Sequence, residues 1–365
     1  MGSDMPHSYI KFFIDEPKLT TDRTYGTVWN NGKANNKRDK NMTDNITGKT
    51  ILLLCPDFHN FQYYMRSALL KLGAKQVVLK SLDGIKSDFR DGINVSKVYH
   101  FLRHPHERAD NTRKLISEIE GYKFDILLCV AYLYFSEFLL DYLKKKNPDV
   151  KLFLFLWDSL DKFTPYYYEY FPLFDYVYSF DRDDAKKNGF FYYPNFYINF
   201  DGHPDNTQLK YDVSIVTKIS GDTLEKAEIC YYVDSFCKGH GMKSFLYLQY
   251  KKPAGSFIRR KWLQHRDKNI LETVTKYQQY GFIHEDIIPY EQVDKMYQES
   301  RALLDINHKD RQGMTINAIT ALGKGKKLIT TNKRIKEESF YDPDTIYILD
   351  DENPKLDIDF FLTPP

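Results

Sequence analysis

The sequence predicts an α/β protein made of two tandem doubly wound domains. Three observations predict it. The chain has 365 residues, more than one core usually serves, since single cores stop growing near ~250–300 residues. From Thr50 onward, short apolar runs alternate with helical apolar patterns, the rhythm of a parallel sheet covered on both faces. A polar break at 199–208 interrupts that rhythm, which then restarts. The expected organisation is a polar N-terminal arm at 1–48, a first domain at 49–200 and a second at 201–365.

The arm is assigned from Asn30–Asn45, which is polar and turn-rich and reads as extended. Thr50–Cys55 is a short apolar run, hence a buried strand. Phe61–Leu72 has helical periodicity and stops at Gly73; Gln76–Leu79 is the next strand. Lys97–His100 is predicted as a further strand and Glu107–Glu120 as a charged amphipathic helix. Phe124–Val130 reads as a strand, Glu137–Lys146 as a helix with a basic last turn, and Lys151–Trp157 as a strongly buried strand. Tyr176–Phe180 and Phe190–Pro194 finish this half. In the second half, Asp212–Val216, Ser244–Leu248, Ala302–Ile306, Lys327–Thr330 and Thr345–Leu349 are predicted strands, and Leu224–Lys238 and Pro289–Ser300 helices.

Composition narrows the function. Hydrophobic residues make up 42% of the chain, an ordinary share for a globular protein. Aromatics reach 16%, with 29 Tyr and 26 Phe, a supply that serves packing and also sugar-binding surfaces. A net charge of +2 gives no field pointing to nucleic acid. Cys55, Cys129, Cys230 and Cys237 are dispersed in apolar contexts, as expected of buried free thiols in a reducing compartment. No apolar run approaches the ~20 residues of a membrane span, and the N-terminus has no apolar signal core. A cytoplasmic protein is expected, with peripheral contact at the inner face of a membrane at most. Zinc-protease, hydrolase-elbow and phosphate-loop motifs are absent from the sequence.

The most informative stretch follows the predicted strand Ala302–Ile306. A polar loop with Asn307, His308, Arg311 and Gln312 leads to Gly313-Met314-Thr315, which opens a helix; a Gly-rich turn then returns the chain to a strand. Backbone N–H groups at a helix start favour an anion, and Gly313 permits close approach. Asn317 and Thr320 project from the same helix, within reach of a sugar attached to that anion. The plainer reading is a βαβ crossover whose glycines only make turns.

Further candidates lie at other strand ends. In Cys55–Asn60, Asp57 and His59 could act as general base or hold a sugar hydroxyl, with Asn60 beside them. A capping Asp and a surface His are the alternative. Trp157 offers an apolar platform and Asp158 an acceptor at the end of the most apolar strand. The alternative is a core Trp with Asp158 or Ser159 capping a helix. Lys218 could meet a diphosphate or be a solvated lysine. The stretch 251–268 interleaves basic and bulky apolar residues, as on surfaces that rest on anionic lipid, or as on an exposed helix with an apolar underside.

The run from Ile288-Pro-Tyr-Glu-Gln-Val293 through Ser300–His308, Gln312–Thr315, Ala321–Asn332 and Phe340–Ile348 resembles bacterial glycosyltransferases of capsule and lipopolysaccharide assembly, with a CgeB-like pattern. The segments Leu156–Ser159, Phe174–Asp181 and Asp184–Gly189 are similar to the same family's first half. The likeness spans roughly residues 50 to 350 and is most specific near the C-terminus. It implies the GT-B fold, in which two Rossmann-like domains face a cleft. It implies a nucleotide-sugar donor, of UDP, GDP or CMP type, on the second domain and an acceptor on the first. It also implies a reaction without metal or other cofactor. Donor-binding residues would be Lys218, His308, Gln312, Gly313, Met314, Thr315, Asn317 and Thr320. Asp57, His59 and Asp158 would be catalytic, and Asn60 and Trp157 would meet the acceptor.

The sequence departs from the family at defined positions. Relatives usually carry an acidic residue where Thr320 stands and tend to carry Arg at Asn317. The Glu pair spaced eight apart in many retaining members corresponds here to Gln312 and Thr320. Relatives commonly end in a helix crossing back to the first domain; none is evident before Pro365, which leaves truncation of a longer chain open. The expected activity is sugar transfer to a hydroxyl of a cell-surface glycan or lipid-linked acceptor. The alternatives are an inactive pseudo-transferase that binds glycan or acts as a scaffold, and a sugar-nucleotide epimerase.

Overall fold

The structure, a computed structural model, describes residues 46–58, 60–81, 97–131, 133–160, 167–197, 208–221, 223–251, 268–308 and 313–363. His59, Arg311, Gln312, residues 1–45 of the arm, most of the expected break at 199–208 and the basic stretch 252–267 lie outside the described residues. The chain divides into two compact units, Met1–Pro194 and Asn195–Pro365. Each is a Rossmann-like, doubly wound α/β unit.

The first unit runs β1 (Thr50–Cys55), α1 (Phe61–Lys71), β2 (Gln76–Ser81), α2 (Lys97–Ile119), β3 (Ile126–Val130), α3 (Phe138–Lys146), β4 (Lys151–Leu156), α4 (Tyr167–Tyr170), β5 (Tyr176–Ser179), α5 (Arg182–Asn188) and β6 (Phe191–Tyr192). Its six strands are parallel, in the order β2-β1-β3-β4-β5-β6. Ile51 through Cys55 and Leu152 through Leu156 are all buried. Adjacent strand residues point to opposite faces, so continuous burial means both faces are covered. That is why these strands read as unbroken apolar runs.

Lys97–His100 forms the first turn of α2, not a strand. A four-residue run is too short for periodicity to separate the two states. Pro105, whose chemistry predicts a helix boundary, lies inside α2. The helix α5 was not anticipated, although its signals are local. Asp181 accepts N–H bonds from Asp183 and Asp184, and Gly189 ends the helix at φ 70°.

The second unit runs β7 (Tyr211–Lys218), α6 (Glu225–Gly239), β8 (Ser244–Gln249), α7 (Lys268–Gln278), β9 (Ile283–His284), α8 (Tyr290–Gln298), β10 (Ser300–Asp305), α9 (Ile316–Gly323), β11 (Lys327–Thr330), β12 (Ile346–Ile348) and α10 (Asp359–Leu362). The order is β12-β11-β10-β7-β8-β9, all parallel. Ala302 and Leu304 of β10 and Ile329 of β11 join one core with α6 and α7. Leu303 and Leu328 join another with α8 and α9. The alternation shows helices on both faces of this sheet.

All four cysteines are free and buried. Burial pushes the Cys129 and Cys230 thiols far up and that of Cys237 to about 12. Among the described residues no helix is long and apolar enough to cross a membrane.

Candidate functional site

In the second unit the chain leaves β7 for β8 on one side and later returns to β10 on the other. The carboxyl ends of β7 and β10 therefore flank the point where the winding reverses, the place where open α/β sheets leave a crevice. Thr217 and Lys218 end β7, Asp305 ends β10, and α9 starts just beyond it.

The α9 start is held by a dense set of bonds. The Thr315 hydroxyl accepts the Ala318 N–H at 3.1 Å and donates to Asp305 Oδ1 at 2.5 Å. Asp305 Oδ2 accepts from the Thr330 hydroxyl at 2.9 Å. Burial raises the Asp305 carboxyl above its ordinary range, while the two hydroxyls and the Lys226 charge act against that rise. The Asn307 side chain accepts the His308 N–H at 3.1 Å and donates to the Gly313 carbonyl at 3.5 Å. Asn195, buried with φ 84°, donates to the Met314 carbonyl at 3.2 Å. Asn332 Nδ2 meets Met314 Sδ at 3.8 Å. Thr315 thus takes one N–H of the first helical turn. Those of Ile316 and Asn317 have no partner among the described residues.

Lys226, in the first turn of α6, donates to Thr217 Oγ1 at 3.1 Å and to the Lys218 carbonyl at 3.2 Å. It brings a cation to the end of β7, near enough to act on Asp305. Lys218 itself is exposed, and His308 is half-buried. Gly313 and Met314 are buried beside the helix start.

Asn317 and Thr320 sit differently from a pair facing a ligand. Asn317 Nδ2 donates to the Val216 carbonyl at 3.2 Å, and its Oδ1 lies 3.2 Å from the Tyr297 hydroxyl. That hydroxyl accepts the Val216 N–H at 3.0 Å, and burial pushes its pKa far up. Asn317 therefore pins α9 to β7. Thr320 is fully buried, its hydroxyl without a hydrogen-bond partner among the described residues.

A cavity of about 410 Å³ opens at the carboxyl ends of β8 and β9, on the same edge of the sheet as the α9 start; Tyr250, Gln278, His284, Glu285 and Asp286 line it. His284 stacks on Tyr247 at 4.0 Å, and the Tyr247 hydroxyl donates to the Asp286 carbonyl at 2.8 Å.

In the first unit, Asp57 and Asn60 are exposed at the end of β1, and Trp157 and Asp158 are half-buried at the end of β4. Asp57 Oδ1 accepts from Gln62 Nε2 at 2.7 Å. Asn60 has φ 63° and precedes α1 without a side-chain capping bond. Ser159 bonds Asp181 at 3.4 Å, and the Leu160 N–H bonds Asp184 at 2.7 Å, tying the chain after Asp158 to α5. Phe58, Phe61 and Trp157 form a ring cluster with centroids 5.5–6.4 Å apart.

Lys226, Asp305, Asn195 and the cavity were not anticipated from sequence. Asp305 carried a signal, as an acidic residue closing an apolar strand; the others carried none. Among the described residues, no three His, Cys, Asp or Glu side chains gather as a metal-binding group.

No protein-family model matches the chain, and no curated protein matches it in sequence. Solved structures of similar chain path include UDP-GlcNAc 2-epimerase from Methanocaldococcus jannaschii, at 11% identity and a TM-score of 0.45, covering 86% of this chain and 90% of that one. Another is an alpha-glucosyltransferase in complex with UDP and a 13-mer DNA, at 13% identity and a TM-score of 0.47, covering 83% and 86%. A third is a UDP-forming trehalose-phosphate synthase from Burkholderia xenovorans, at 10% identity and a TM-score of 0.48, covering 78% and 84%.

Proposed function

We propose that the chain is a GT-B glycosyltransferase that moves a sugar from a nucleotide-diphosphate sugar to a hydroxyl of a cell-surface glycan or lipid-linked acceptor, without a metal, in capsule or lipopolysaccharide assembly. The observation that supports it most is the α9 start. Two N–H groups without partners among the described residues lie where the sheet's winding reverses, at a helix start held by Asn195, Asn307 and Thr315, with the Lys226 cation at the adjoining strand. A diphosphate there meets a helix dipole and a cation together. The cavity at β8 and β9 supports a place for the nucleoside on the same sheet edge.

In the reaction the bond from the sugar's anomeric carbon to the β-phosphate oxygen breaks, and its electron pair stays on the diphosphate. The acceptor oxygen bonds to the anomeric carbon, and its proton passes to Asp57, His59 or Asp158. Charge builds on the leaving diphosphate, so fixed N–H groups and Lys226 favour the transition state over the bound ground state. Residues 201–365 would hold the donor and 49–200 the acceptor, at the inner face of the membrane. Gln312 and His308 join the donor loop in this proposal.

A second reading, a pseudo-transferase that binds glycan, is favoured by Asn317 and Thr320. One is engaged with Val216 and Tyr297, and the other is buried. Thermal-shift titration with UDP, GDP, CMP and their sugars, followed by assay of sugar-nucleotide hydrolysis, separates the two. A nucleotide at a hundredfold excess over its dissociation constant stabilises the protein by about 2.7 kcal/mol. Gly313→Val abolishes the shift, and Asp158→Asn keeps it while cutting transfer. Normal nucleotide binding by Gly313→Val would place the site elsewhere. A shift without hydrolysis or transfer selects the pseudo-transferase.

A further inference from the structure

The first unit carries an arrangement that the donor site does not use. Phe58, at the end of β1, is 39% exposed. Its ring lies 5.9 Å from that of half-buried Trp157, at the end of β4, with the planes tilted by 57°. Buried Phe61 stands edge-on to both, at 5.5 Å and 89° from Phe58 and at 6.4 Å and 84° from Trp157. One buried ring thus wedges two partly exposed ones and fixes their tilt. The strand order puts the end of β3 between those of β1 and β4, so the Phe58–Trp157 contact bridges it. There Ala131 leaves the sheet at φ 65°, and Asn60 enters α1 at φ 63°. Asn adopts left-handed backbone readily, but at Ala131 it persists only where the surroundings over-determine it, and such strain gathers at functional sites.

Each partly exposed ring has an acidic residue as its neighbour in the sequence. Asp57 precedes Phe58, with one oxygen fixed by Gln62, and Asp158 follows Trp157. We propose that Phe58 and Trp157 form a stacking platform for a pyranose ring, so that the acceptor is engaged as a saccharide and not through an alkyl or prenyl chain. A pyranose has a face of C–H groups that lies on aromatic carbon and a rim of hydroxyls that donate to carboxylates. An alkyl chain has nothing for Asp57 and Asp158 to accept, and burying their charges against it is costly. This inference rests on the transferase reading for the word acceptor, but the platform is tested without the donor.

The test is saturation-transfer NMR on the full chain with the methyl glycosides of glucose, galactose, mannose and N-acetylglucosamine, and with n-octanol as the alkyl probe. Thermal shifts with UDP, GDP, CMP and their sugars are recorded on the same samples. At least one glycoside is expected to take saturation on ring C–H protons, and octanol none. Phe58→Ala weakens that binding tenfold or more, Phe58→Tyr by less than threefold, and both keep the wild-type circular dichroism and UDP shift. The platform is overturned if no glycoside is saturated, if Phe58→Ala binds as wild type, or if octanol competes with the glycoside. Glycoside binding without a shift for any of UDP, GDP, CMP and their sugars keeps the platform and removes the transferase reading.

Discussion

Replacing Thr315 by Ala removes one hydroxyl that serves two partners. It caps the Ala318 N–H at 3.1 Å and donates to Asp305 at 2.5 Å. Loss of an N-cap costs about 1 kcal/mol. Loss of a hydrogen bond to a buried carboxylate costs roughly 1.5–3 kcal/mol. Both effects come from one group, so together they amount to about 2–4 kcal/mol at neutral pH. Asp305 keeps the Thr330 hydroxyl at 2.9 Å, which limits the damage. The sign of the pH dependence follows from the raised carboxyl. Without Thr315 its folded value rises further, so the mutant's deficit is full above that value and shrinks as pH falls through it. Native-state amide exchange of β10 reads the opening free energy of the second unit. Thr315→Ser keeps the hydroxyl and is expected to lose less than about 1 kcal/mol. The reasoning fails if Thr315→Ala costs under about 0.5 kcal/mol, within the range of neutral surface changes, or if Ser and Ala cost the same.

Three further outcomes test the scaffold around α9. Lys324 and Asp294 form an ion pair at 2.7 Å with side chains 3% and 0% exposed; Asp294→Ala strands the ammonium and costs about 3–5 kcal/mol, while the double change to Leu and Met recovers most of it. Urea midpoints of the single and double variants decide this. A methyl added at Gly323 would fall inside contact distance of the Tyr197 ring, so Gly323→Ala costs about 1–3 kcal/mol, and an added Tyr197→Ala relieves it. Buried Lys327 is held by the carbonyls of Asp344 and Phe360 and the Thr363 hydroxyl, with no carboxylate in contact among the described residues, and burial lowers its pKa. The folded state therefore binds this proton less tightly than the unfolded chain, and stability rises with pH between the lowered value and 10.5; Lys327→Met removes that rise in denaturation midpoints. Tyr297 and Tyr247, held protonated by burial, turn the trend downward above about pH 10.

Strands buried on both faces were legible because their composition is itself the signal. Thr50–Cys55 and Lys151–Leu156 stand out as apolar runs in any window. The two-residue β9 carries too few positions to show a period, and Lys97–His100 shows a period that fits two states. At the site, the loop-to-helix step at Gly313–Thr315 was readable from residue type. What Asn317 does was not, since its partner Val216 is 101 positions away. Lys226 reaches the strand end only through the geometry of α6 on its sheet, and no spacing rule encodes that. Asn195 is read only once its carbonyl partner, Met314, is known. Local chemistry announces elements and caps, whereas long-range hydrogen bonds decide which polar residues remain available to a ligand.

The cysteines give each half of the molecule its own clock. Cys55 and Cys129 are sealed in one unit, Cys230 and Cys237 in the other. Thiols so protected react with an alkylating reagent only when the surrounding core parts. Mass-tagging of intact chains over time would then yield two separate opening rates from one unmodified protein, with no engineered reporter.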